Sequence, residues 1–178
     1  NTGMQGGLWS RVGYSAITLL PPLGLHLAFV LASKKSNLLV PIAYFTCALF
    51  IGYFVFTTAA ISGQTCYANY AVFDTAKGSS MLFGLYYYGW LFVCLLLAAW
   101  WRSSLIPSQK RALAALMLGY LGFIVPTAAV NIIDPATLAG IPSIMCGFAV
   151  ILAFLLVGKV APESLTERQN RSSLNFKL

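Results

Sequence analysis

Histidine occurs once in this chain, at His26, four residues beyond the pair Pro21–Pro22. An imidazole titrates near neutrality, ligates metals and hydrogen-bonds through two distinct nitrogens. His26 is therefore a candidate to bind a ligand, to sense protons or to hold the metal of a single pigment. The plainer role is a neutral ring bonded to a backbone carbonyl that a proline has freed. A second set is Asn131 and Asp134 with Tyr14 and Tyr87. Polar handles in an apolar wall are the usual form of a ligand site, and these four, with Thr57, Thr58, Tyr86 and Thr127, would line a shallow outward pocket. The plainer role is again local: Asn131 and Asp134 cap a helix end before Pro135, and tyrosines favour the membrane interface. A third set is Cys66 and Cys146, which would form a disulfide if their Cα atoms come within about 7 Å. The chain has no CxxC, no metal-ligand spacing, no phosphate-binding glycine loop, no HExxH and no nucleophile elbow. One histidine and the outer carboxylates do not make an acid–base set, so an enzyme is not expected. No metal site or particular cofactor is specified.

These residues are set in a chain that is 59% hydrophobic and only 8% charged over 178 residues, with a mean hydropathy of +0.80. A soluble domain carries roughly 25% charged residues, so a soluble enzyme, a disordered tail and a disulfide-rich secreted module are all excluded. The expected class is an all-α integral membrane protein. A bilayer core takes about 20 apolar residues per helix. Five runs meet that length, at residues 12–33, 38–62, 81–101, 112–133 and 141–160. They form one transmembrane bundle within residues 1–160, with an outer loop at 63–80 and a polar tail at 161–178. No secretory leader is evident, because the first apolar run is flanked by Arg11 and ends at Lys34–Lys35 without a small-residue cleavage pattern.

The net charge of +7 reads as topology rather than as affinity for nucleic acid. Five crossings place nine of the eleven cations on one side: Lys34, Lys35, Arg102, Lys110, Arg111, Lys159, Arg168, Arg171 and Lys177. Arg11 and Lys77 fall on the other. Cytoplasmic loops carry the excess of Lys and Arg, so the N terminus is expected outside and the C terminus in the cytoplasm of a cell membrane, with a bacterial inner membrane the natural setting. Trp100 and Trp101 beside Arg102 suit the cytoplasmic interface, and Trp9 and Tyr14 the outer one. The outer loop is aromatic and β-branched in its centre, so a short hairpin and a plain surface loop both fit. In the tail, Glu163, Glu167 and Arg171 have helical spacing.

Ala112, Ala115, Gly119 and Gly122 share one face of the fourth span, and Ala149 and Ala153 repeat the idea in the fifth; small residues let helices approach closely in lipid. The third span carries a bulky stripe of Phe83, Tyr87, Trp90, Cys94, Leu97 and Trp101, read as bundle packing or, alternatively, as the lining of a cofactor site. Pro21 and Pro22 deprive the carbonyls of Ile17 and Thr18 of their helical partners, and Pro126 does the same to Gly122, so neighbouring groups must satisfy them.

The stretch WSRVGYSAITLLPPLGLHLAF, Trp9 to Phe29, resembles the third helix of the seven-transmembrane N-terminal input region of bacterial sensor histidine kinases. GIPSIMCGFAVILAFLLVGKVAP, Gly140 to Pro162, is similar to the last helix of such regions. The pattern also resembles small stand-alone bacterial membrane proteins with no assigned role. The resemblance covers helices 3 to 7 and implies a membrane-embedded sensing module. No kinase domain follows Pro162 and the tail holds no histidine, so autophosphorylation is not carried over. The leading expectation is a non-catalytic sensory or ligand-binding module coupled to a partner. The alternatives are an accessory subunit of a respiratory or photosynthetic complex, with His26 as a pigment ligand, and a small transporter. The expected partners are the lipid bilayer and either other membrane subunits or further copies of the chain.

Overall fold

A computed structural model describes residues 2–36, 38–57, 61–66, 71–75, 77–133, 150 and 152–162. Helix α1 runs Thr2–Leu31 and α2 runs Leu39–Phe56; the strands β1, Ile61–Cys66, and β2, Ala71–Thr75, follow. Helix α3 is Lys77–Trp101, a 3-10 turn spans Arg102–Ser104, and α4 is Pro107–Ile133. The last helix, α5, covers residues 152–162 and widens to a π-turn at Leu156–Val160. Pro162 has no N–H to offer the Gly158 carbonyl, and the Ala161 N–H reaches back to the Leu156 carbonyl.

Three helices among the described residues are long and apolar enough to cross a membrane, with windows Arg11–Leu31, Leu39–Phe56 and Met81–Ser104. Half of the α1 window is buried, against 17% for α2 and 28% for α3, so α1 is the central rod of the three. Helix α4 is 27 residues long, about 40 Å at 1.5 Å per residue. Large apolar side chains face outward from every long helix, among them Leu23, Phe45, Phe92, Leu96 and Leu118. A water-facing surface of that kind would associate; hydrocarbon accepts it.

Several boundaries differ from the apolar runs. The expected second span, 38–62, stops at Phe56: Thr57 is extended, and Ile61 and Ser62 belong to β1. Hydropathy counts Ala59, Ala60 and Ile61 as membrane-compatible but does not register that the helix has ended. Of the two readings for residues 63–80, the described residues form the short hairpin. Antiparallel β1 and β2 pair Gln64 with Phe73, Thr65 with Val72 and Cys66 with Ala71, with a bulge between Ile61 and Gly63, and α3 begins at Lys77. Helix α4 starts at Pro107 rather than residue 112, because a first-turn position needs no N–H and suits the fixed φ of proline. Residues 141–149 and 163–178, which include most of the expected tail, lie outside the described residues.

The α1–α2 connection is short and specific. Ser33 has a left-handed φ of 51°. The Ser33 N–H bonds the Val30 carbonyl at 3.1 Å and the Lys34 N–H bonds the Phe29 carbonyl at 3.0 Å, which closes the helix end in a Schellman arrangement. Glycine is usual at this position. Here the serine hydroxyl has a second use, as acceptor from Gln109 Nε2 of α4 at 3.0 Å.

The core gathers around α1: Leu25, Ala28 and Phe29 meet Ala43 and Cys47 of α2, Leu91 and Cys94 of α3, and Leu113 and Tyr120 of α4 in one buried cluster. Of the small residues expected to line the α4 interface, Ala112 and Gly119 are buried, and a side chain at Gly119 would meet Leu152 of α5. Gly122 faces open space. Ala153 is exposed, and Leu152 is the buried residue of that turn. At the 100° step of a helix, Leu152 facing α4 turns Ala153 away from it.

Candidate functional site

The site begins with two prolines. Pro22 lies four residues after Thr18, so the Thr18 carbonyl has no helical N–H to accept. Thr18 is fully buried, and an orphaned carbonyl in hydrocarbon costs several kcal/mol. Two other helices supply the missing donors. Tyr86 of α3 donates its hydroxyl to the Thr18 carbonyl at 2.8 Å, and the Cys47 thiol of α2 reaches the same oxygen at 3.5 Å. The Thr18 hydroxyl bonds the Tyr14 carbonyl at 2.6 Å. Beyond the prolines, the Cys94 thiol of α3 lies 3.7 Å from the Gly24 carbonyl. The Tyr120 hydroxyl of α4 occupies the space that a Cβ at Gly24 would fill. The segment from Thr18 to Gly24 is therefore gripped by hydroxyl and thiol groups from α2, α3 and α4. Cys47 and Cys94 are both free thiols.

One turn toward the N terminus of α1 lies an aromatic cluster. Tyr14 stacks on Phe54 with centroids 4.9 Å apart and meets Phe83 edge-on at 6.1 Å. Phe83 in turn contacts Tyr87 at 5.9 Å and Tyr86 at 6.0 Å, and Phe50 touches Tyr86 at 4.7 Å. The fold thus brings Tyr14 and Tyr87 to one cluster through Phe83, as buried rings packed on rings. At the C-terminal end of α2, the Arg11 guanidinium donates to the Val55 carbonyl at 2.8 Å, where a cation suits the negative end of the helix dipole.

His26 stands apart. Twelve residues of helix separate it from Tyr14, roughly 18 Å along the axis. It is exposed on the outer surface of α1, and its Nδ1 lies 3.2 Å from the Tyr44 hydroxyl, with the rings perpendicular at 5.9 Å. The carbonyls freed by the proline pair are not its partner. Its Nε2 has no protein partner among the described residues. Asn131 sits in the last turn of α4. Asp134 and Cys146 lie outside the described residues, and Cys66 is placed only as the end of β1, so the outward pocket and the Cys66–Cys146 bond also lie outside them. No group of three His, Cys, Asp or Glu is gathered for a metal among the described residues.

Comparisons with protein-family models, with curated proteins and with solved structures find no match.

Sequence reasoning located the freed Thr18 carbonyl but not its donors. Tyr86 is 68 residues away and Cys47 is 29. A tyrosine or cysteine in an apolar run looks like any other packing residue until the helices are docked. The bulky stripe of α3 carried part of the signal, since Tyr87 and Cys94 are buried within it while Phe83 and Trp90 are only partly so. Trp90 also ties α3 to α2, donating its indole N–H to the Thr46 hydroxyl at 3.1 Å.

Proposed function

We propose that this chain is a non-catalytic membrane module that crosses the bilayer five times, N terminus outside and C terminus in the cytoplasm, and that it senses or binds a ligand and couples to a partner. The observation that carries this reading is the grip on the Thr18 carbonyl. A proline-interrupted central helix, held by Tyr86 and Cys47 from two neighbours, would bend or straighten at that point by exchanging those bonds. The aromatic cluster around Phe83 lies one turn outward of that point. A rearrangement of the cluster therefore reaches the bend directly, and through it the cytoplasmic half of α1. Such coupling requires a two-state element, and the bend is the element proposed.

A second reading, the accessory subunit, is favoured by one feature. His26 faces outward within the membrane window of α1 with Nδ1 engaged by Tyr44. A ring nitrogen held in this way orients the other toward a ligand outside the chain.

Native mass spectrometry of the protein extracted in mild detergent tests both readings. A stoichiometric small molecule or partner protein, retained by the native chain and lost from Tyr86→Phe, supports the coupled sensor. Retention inside a large assembly with an absorbance band that His26→Ala abolishes supports the subunit. A bare chain with neither overturns both.

A further inference from the structure

The face that α1 turns away from its neighbours is one continuous stripe. Within the window Arg11–Leu31 the exposed residues are Val12, Ala16, Leu19, Leu23, His26 and Val30. Their spacing alternates four and three, and at 100° per residue they fall within about 80° of arc. The register carries through the proline pair, because Pro21 and Pro22 are buried on the other side. Residues repeating roughly every 3.5 positions form the seam by which two helices pack at a left-handed crossing. Five of the six would be equally well placed against lipid and by themselves specify nothing. His26 is different. A titratable side chain within a crossing helix normally faces protein or water rather than hydrocarbon, and histidines hydrogen-bond from one membrane helix to the next. Tyr44 of α2 holds Nδ1 at 3.2 Å, its ring perpendicular to the imidazole, which fixes the imidazole on this exposed face.

We infer that the stripe is the seam between two copies of this chain, α1 against α1, with the two His26 imidazoles bonded to each other near its C-terminal end. Copies of one chain insert with the same topology, so their α1 helices run parallel and each residue of a two-fold seam meets its own counterpart. Few side chains satisfy themselves in this way. A neutral imidazole does: Nε2 donates in one tautomer and accepts in the other. Tyr44 serves both, since its hydroxyl donates to a bare Nδ1 and accepts from a protonated one. Elsewhere on the stripe the contacts are apolar, and Ala16 leaves room for close approach. A single polar pair at a seam position sets the register of the two helices. The inference requires only that α1 crosses the bilayer, and is independent of the sensing reading and of which end faces the cytoplasm. It competes with the pigment reading for the same ring nitrogen.

The test is disulfide cross-linking of the full chain in native membranes, with Cys66 and Cys146 replaced by serine and the buried Cys47 and Cys94 retained. Leu19→Cys, Leu23→Cys and Val30→Cys are each expected to give a dimer on oxidation. Phe92→Cys of α3 and Leu118→Cys of α4, also exposed, are expected to give none. In mild detergent, the dimer dissociation constant follows from native mass spectrometry over a dilution series. It should rise about three- to tenfold in His26→Leu, as the loss of one hydrogen bond between membrane helices gives. His26→Gln, whose amide both donates and accepts, should return it toward the native value. The cross-linking arm keeps His26 native, and so decides the seam whatever the variants do to folding. Monomer alone, a dimer cross-linked as readily through Phe92→Cys or Leu118→Cys, or a stripe cysteine captured by a different protein would overturn the seam. A dimer unweakened by His26→Leu would overturn the imidazole pair.

Discussion

Gly24 shows how much rests on single atoms in this bundle. The Tyr120 hydroxyl lies where the first side-chain carbon of any other residue would be, so α1 and α4 approach through the absence of one methyl group. Gly24→Ala is expected to destabilise the protein by about 1–3 kcal/mol, the usual range for overpacking a filled core. Tyr120→Phe removes the oxygen in the way and should recover part of that loss. Thermal unfolding in detergent, comparing the two single variants with the double, measures the coupling. Equal costs with and without Tyr120→Phe would mean that the clash is relieved elsewhere. Ser33 makes a related point. It holds a left-handed backbone that costs a non-glycine residue about 1–2 kcal/mol, and its hydroxyl ties α4 to α1. Ser33→Ala should lose the bond and keep the strain, costing about 0.5–1.5 kcal/mol. Ser33→Gly loses the bond but relieves the strain, and should be the more stable of the two.

At the scale of elements, the proline break in α1 is a balance between a missing helical bond and two side-chain donors. Tyr86→Phe leaves the Thr18 carbonyl with the Cys47 thiol alone and should cost about 1 kcal/mol, within the range for hydrogen bonds between membrane helices. Pro22→Ala restores a backbone N–H to the same carbonyl, so in that background Tyr86→Phe should cost close to nothing. A cost that persists would place the importance of Tyr86 in its ring packing. The locations of the helices were legible in the sequence because a long apolar run reports compatibility with lipid over its whole length. Their ends were less so. Thr57 ends α2 within an apolar stretch, and Pro107 starts a helix where proline reads as a break. The freed carbonyl was legible because Pro22 acts on a fixed neighbour, four residues back. Its donors were not, because contacts across 29 and 68 residues are decided by docking, to which the local pattern is blind. The same limit applies to His26, which the sequence placed within the first span without indicating which way it faces.

For the whole molecule, the apolar exterior and three long apolar helices among the described residues describe a body suited to a bilayer. The full count of five crossings and the orientation are proposals that labelling tests. Single cysteines at Lys34, Lys110 and Lys77, in a Cys66→Ser background, should react with an impermeant maleimide on intact cells only at residue 77. Reaction at 34 or 110 would invert or dissolve the proposed topology. The grip on Thr18 also bears on how the protein is made. Its best donor, Tyr86, is translated 68 residues later. When α1 and α2 leave the ribosome, the open carbonyl has only a weak thiol to lean on. The arrival of α3 therefore favours the settled form of α1 in lipid by about the 1 kcal/mol that this hydroxyl contributes.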